Sequence, residues 1–312
     1  MLLAWFVGCA NLDAFVFNGV HCSTVGPDTC EAIDSPWDAI CVPCEQDYDW
    51  GRDYPWFPET LAPGESVRPI DPALVRRVPI PTTDGLGTLD AYFVAAHADD
   101  PAGPTTTIVY NHGNYAGIEH YQPRVRYLHE AGYNVFIWDY RGYGKSEPPE
   151  APTGEQHLAD ADAALAEALA LAPDPDRVVA YGYSLGAVAA TRMAATSELC
   201  ALVLEAPFTS IAEITTDNTT LSLGEQFLSE GAFDNFARMA TIASPTLGMT
   251  GTADDLFFSE DVRALVNTGP GPRELWTLPG VHHGVSDIGI PEAGFGPYRR
   301  RVDDFLAEHG CR

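Results

Sequence analysis

Lysine is almost missing from this chain. Lys145 is the single lysine in 312 residues, the other sixteen basic side chains are arginine, and 44 acidic residues leave a formal net charge of −27. Such a balance excludes the clustered cations that nucleic acid binding requires, and it disfavours electrostatic docking on anionic lipid. No apolar run reaches the roughly 18 residues of a membrane-spanning helix. Internal repeats are absent. Gly142-Tyr143-Gly144-Lys145-Ser146 has Asp139 where a phosphate loop needs its first glycine, and no G-x-G-x-x-G follows the first strand, so no nucleotide cofactor is expected. Core material is not scarce. At 46% hydrophobic and 11% aromatic residues the chain is not a disordered acidic segment, and its length suits one large α/β domain or two smaller ones.

Residues 10–72 show neither helical nor strand periodicity. Trp37, Trp50 and Trp56, interspersed with Pro36, Pro43, Pro55 and Pro58, describe an irregular arm anchored on a domain by aromatic rings. Beyond it, over 73–312, short β-branched runs alternate with Ala-rich stretches. Strands are expected over 75–80, 89–95, 105–110, 135–139, 178–181, 202–204, 245–249 and 273–277, and helices over 121–131, 155–171, 185–195, 259–266 and 296–309. The alternation implies an α/β fold: a mainly parallel sheet with helices on both faces. It lapses over 209–244, a span too long for an ordinary loop and read as a small helical cap.

The chemistry centres on Gly182-Tyr183-Ser184-Leu185-Gly186, which fits G-x-S-x-G between an expected strand and an expected helix. A sharp strand-to-helix turn pushes the serine oxygen out over the sheet edge, at a helix N-terminus that favours developing negative charge. A serine becomes nucleophilic only when a base takes its proton and an acid orients that base. Both follow in the order this architecture uses: Asp254 after one strand, in Gly251-Thr252-Ala253-Asp254, and His283 after the last, in Gly280-Val281-His282-His283. Spacing from the preceding glycine favours Asp254 over Asp255 and His283 over His282, while Glu205 at another strand end is an alternative acid. An oxyanion hole needs two aimed N–H groups. Leu185, next after the serine, supplies one, and Asn114 in Asn111-His112-Gly113-Asn114 supplies the other, with His112 read as a loop former and not a catalyst.

From about Val75 onward the chain resembles the α/β-hydrolases. Besides the elbow and His-Gly-Asn it carries Asp139-Tyr140-Arg141-Gly142-Tyr143-Gly144-Lys145-Ser146, like the D-x-R-G-x-G-x-S loop of that fold. Glu205-Ala206-Pro207-Phe208-Thr209-Ser210 is similar to the E-S-P-F-T-S block of a subgroup of membrane-linked serine hydrolases and their bacterial relatives, although Met249-Thr250-Gly251 replaces that subgroup's His-Gly. The resemblance implies hydrolysis of a small-molecule carboxylic ester through an acyl-enzyme, without cofactor or metal. Thioester, amide or peptide hydrolysis on the same triad is the alternative, and a non-catalytic envelope binding protein is a third reading that intact triad residues disfavour.

Seven cysteines bear on location. Residues 1–9 are apolar and end in Val7-Gly8-Cys9, which resembles the end of a bacterial lipoprotein signal with Cys9 as the acylated residue. Phe6 stands where leucine is usual and no basic stretch precedes the run; a longer N-terminus would account for both. Cys22, Cys30, Cys41, Cys44, Cys200 and Cys311 then form an even set, which fits an exported, disulfide-bonded protein of the periplasm or cell envelope; fifteen pairings are open. Zinc is disfavoured because Cys41-Val42-Pro43-Cys44 is the only C-x-x-C pair. A cytoplasmic location is the alternative. Asn218-Thr219-Thr220 matches a glycosylation sequon by pattern alone.

Overall fold

The computed structural model describes residues 13–24, 42–52, 66–97, 105–210, 229, 231–283 and 294–312. Cys9, Cys30, Cys41, Trp37, Trp56, the Asn218 sequon and residues 211–228 of the expected cap lie outside the described residues.

Among the described residues ten strands follow one another: β1 (Val75–Arg77), β2 (Ile80–Pro81), β3 (Thr88–Leu89), β4 (Ala91–Val94), β5 (Thr107–Asn111), β6 (Asn134–Trp138), β7 (Val178–Tyr183), β8 (Ala201–Glu205), β9 (Thr246–Gly251) and β10 (Arg273–Leu278). Eight of them form one sheet in the order β1-β4-β6-β5-β7-β8-β9-β10, while β2 and β3 pair separately. From β6 to β10 every pairing is parallel; β1–β4 and β4–β6 are antiparallel. Strands β5 to β9 are buried at every position, as befits parallel strands covered on both faces.

Both runs expected as single strands near the start of the domain are divided. Pro79 has no N–H to donate to a ladder, so the chain leaves β4 after Val78, whose N–H donates to Ala91 O at 2.7 Å, and pairs again through Ile80, with Leu89. At Asp90 the N–H goes to Ser146 Oγ at 2.8 Å, separating β3 from β4.

Among the described residues there are six helices: α1 (Ile118–Glu130), α2 (Gly154–Leu171), α3 (Gly186–Thr196), α4 (Asn235–Met239), α5 (Ser259–Val266) and α6 (Phe295–Glu308). Helix α2 opens on a reciprocal cap in which Gln156 N–H donates to Thr153 Oγ1 (3.2 Å) and Thr153 N–H to Gln156 Oε1 (2.9 Å). Helix α1 starts three residues before its expected position because Ile118 N–H is capped from afar by Asp139 Oδ1, at 2.8 Å. One core, with α1 and α6, covers one face of the sheet and includes Tyr48 and Trp50 of the arm. The other, with α2, α3 and α5, covers the opposite face and includes Phe17.

Among the described residues two disulfides staple the chain: Cys22–Cys44 within the arm and Cys200–Cys311 from the start of β8 to the C-terminus, with Cα separations of 5.0 and 5.7 Å. Cys44 therefore pairs with Cys22 and not within its C-x-x-C. Among the described residues no helix is long and apolar enough to cross a membrane.

Candidate active site

The order in which strands are added to the sheet reverses at β5: β6 lies on one side and β7 on the other, so the loops after β5 and β7 diverge and leave a crevice at the C-terminal edge of the sheet. Ser184 stands there, one residue past β7, with φ at +52°. That left-handed conformation costs a non-glycine residue about 1–3 kcal/mol and persists because its surroundings hold it. Ser184 N–H donates to Glu205 O at 3.0 Å, and Ser184 O accepts from Ala187 and Phe208 N–H at 3.0 and 2.9 Å. The flanking glycines permit close approach. A Cβ on Gly186 would lie 2.0 Å from Asn111 O, and one on Gly182 would lie 2.7 Å from Gly186 O.

Ser184, His283 and Asp254 meet. His283 Nε2 is 2.9 Å from Ser184 Oγ, and His283 Nδ1 is 2.9 Å from Asp254 Oδ2. Asp254 Oδ1 accepts the N–H groups of Leu256 (2.9 Å) and Phe257 (3.0 Å), which fixes the carboxylate. With the aspartate as acceptor, Nδ1 is the imidazole donor, leaving Nε2 free to accept the serine proton. All three side chains are buried, whereas His282 and Asp255 are exposed. Glu205 is engaged elsewhere: Arg124 Nη1 and Tyr181 O–H both donate to its carboxylate.

Among the described residues, the backbone N–H groups of Asn114 and Leu185 have no hydrogen-bond acceptor. His112 is fully buried, its Nδ1 2.8 Å from Gly113 O and its ring stacked 4.0 Å from that of Tyr140. The Asp139–Ser146 motif is a scaffold. Ser146 O–H donates to Asp139 O at 2.7 Å, and Arg141 forms a two-pronged pair with Asp160 at 2.7 and 2.9 Å.

Three side chains that the sequence did not single out hold the histidine. Tyr183 O–H donates to His283 O at 2.9 Å, its ring lies against the imidazole at 5.6 Å, and the Arg124 guanidinium sits 3.8 Å over the Tyr183 ring. Phe257 packs edge-on to His283 at 5.3 Å. The one available signal was an aromatic residue in the x position of G-x-S-x-G; Arg124 and Phe257 carry none.

A mostly parallel eight-stranded sheet with a strained serine on its central strand-to-helix turn, in line with a histidine and an aspartate, defines the α/β-hydrolase class. The chain belongs to this family. Residues 102–227 match the family model described as serine aminopeptidase, S33. The uncharacterised Mycobacterium tuberculosis protein Rv2307c is 31% identical over 235 residues, which is 75% of this chain and 80% of that protein. Human alpha/beta hydrolase domain-containing protein 17B is 30% identical over 176 residues, covering 56% of this chain and 57% of that one. The solved structure of the Pyrococcus furiosus esterase Pf2001 aligns with a TM-score of 0.60 over 80% of this chain and 97% of its own, at 22% identity, which speaks to fold alone.

Proposed function

We propose that the protein is a serine hydrolase that cleaves carboxylic esters through an acyl-enzyme. The observation that carries this reading is the unbroken line from Ser184 Oγ through His283 to Asp254, with both contacts at 2.9 Å. Ser184 Oγ attacks the ester carbonyl as its proton passes to His283 Nε2. Asp254 stabilises the imidazolium without taking a proton from it. The N–H groups of Leu185 and Asn114 receive the oxyanion, and His283 protonates the departing alcohol. Water then enters by the same route and releases the acid. A fluorophosphonate probe on purified protein, followed by a series of p-nitrophenyl esters of increasing acyl length, tests the proposal. Ser184 should be labelled, and the esters should turn over faster than matched thioesters and anilides. An unlabelled, inactive protein would favour a binding role.

Export belongs to the same proposal, with acylation at Cys9. The two disulfides among the described residues support export, because such bonds persist in oxidising compartments. Mass spectrometry of protein expressed in a bacterial host with a full-length signal should show processing at Cys9 and few free thiols. An unprocessed chain with seven free thiols would point to the cytoplasm.

A further inference from the structure

The arm, which the sequence set apart from the catalytic domain, runs through the active-site rim. Asn114 carries one of the two N–H groups assigned above to the oxyanion, yet its side chain faces the arm. Its Nδ2 donates to Val16 O at 2.6 Å, and its Oδ1 accepts from Asn18 N–H at 2.7 Å and Tyr143 O–H at 2.5 Å. Those partners fix the amide's orientation, because a flip would set donors against donors. Asn18 N–H also reaches Tyr143 Oη at 3.0 Å. Gly19 bridges to Ala116 beyond the Asn114 turn, and Gly144 N–H donates to Val20 O at 2.9 Å. The stretch is pinned at both ends. Before it, buried Asp13 accepts Gly154 N–H at the start of α2 and Ser229 N–H, each at 2.7 Å. After it, Cys22 is joined to Cys44.

We propose that residues 13–22 form a strap that positions the Asn114 N–H for the oxyanion, with the Asn114 side chain as the clasp and the Cys22–Cys44 bond as the anchor. The inference rests on the hydrolase reading above. Its physical basis is that an oxyanion donor acts only where it is aimed, and a displacement of about 1 Å can cost on the order of a hundredfold in rate. Removing the clasp side chain leaves the N–H in place but releases its direction.

The test compares oxidised wild type with Asn114→Ala, Gly19→Val, their double variant, Cys22→Ser/Cys44→Ser, and Cys200→Ser/Cys311→Ser. Gly19→Val unseats the strap because even a Cβ there would lie 2.5 Å from the Tyr143 ring. With p-nitrophenyl butyrate, each strap variant should lose roughly 10- to 100-fold in kcat with KM within about 3-fold. The double variant should be no worse than the poorer single one, because both break one linkage. The Cys200–Cys311 variant lies at the opposite end of the strands, so it should lower Tm and leave kcat unchanged. Should Gly19→Val fail to fold, dithiothreitol on wild type supplies the same perturbation: kcat falls and recovers on reoxidation, while the Cys22→Ser/Cys44→Ser protein does not respond. Wild-type kcat in Asn114→Ala, or additive losses in the double variant, would overturn the strap while the hydrolase reading stands. A wild type that is neither labelled at Ser184 nor active on any ester overturns both.

Discussion

Tyr183→Phe is a small change with a worked consequence. It removes one oxygen and leaves the ring between Arg124 and the His283 imidazole, so packing is conserved and only the 2.9 Å hydrogen bond to His283 O is lost. Leaving a buried carbonyl short of this donor costs about 1–3 kcal/mol. The bond holds the backbone of the very residue that must keep Nε2 2.9 Å from Ser184 Oγ and Nδ1 2.9 Å from Asp254. If the cost falls on the aim of the imidazole, it appears in the transition state at about 1.4 kcal/mol per tenfold, giving a loss of roughly 5- to 100-fold in kcat. KM should stay within about 2-fold, since no substrate contact is removed. The assay is steady-state hydrolysis of p-nitrophenyl butyrate beside a thermal melt. A lower Tm with unchanged kcat would refute the reasoning, because Tyr183 would then stabilise the fold without aiming the base.

Other consequences follow from neighbouring residues. His283→Ala should reduce kcat by about 10⁴- to 10⁶-fold, whereas His282→Ala, on the exposed side of the loop, should stay within a few-fold; equal losses measured with the same ester would show that the base is misassigned. Burial among Phe17, Trp138 and Tyr140, helped by His112 and Arg238, pushes His157 down to about 3. Its folded state is therefore neutral, and the stability linked to that neutrality is complete above pH 6.5 and is lost as pH falls from there towards 3. At pH 5 the loss amounts to about 2 kcal/mol. His157→Phe should gain that much on wild type between pH 7 and 5 in urea titrations, and parallel pH profiles would contradict the burial argument.

The parts of this architecture that rest on local pattern could be read in advance. Ser184 was legible because two glycines bracket it between a buried β-branched run and an Ala-rich helix, and Asp254 and His283 because each closes a short loop after a strand. Helix α5 and the start of β10 fall where periodicity set them. What escaped depends on distant partners. The start of α1 is fixed by Asp139, 21 residues away. The division of β1 from β2 depends on where Pro79 meets a neighbouring strand. The fifteen possible sets of cysteine pairings cannot be told apart by spacing, and one of the described bonds joins Cys200 to Cys311 across 111 residues. Arg124, over the Tyr183 ring, and Phe257, against His283, come from separate elements, and the arm's lack of periodicity hid its backbone contacts with Asn114 and Gly144. A segment held through its own carbonyls and amides has no side-chain pattern to betray it.

The most direct measurement is labelling and turnover of purified protein beside its Ser184→Ala variant. A fluorophosphonate should label wild type at Ser184, located by peptide mass spectrometry, and a short-chain p-nitrophenyl ester should be hydrolysed. Ser184→Ala should take no label and lose about 10⁴- to 10⁶-fold in kcat while keeping the wild-type circular dichroism spectrum. Label on another residue, or near-wild-type turnover in the folded variant, would contradict the assignment of Ser184 as the nucleophile.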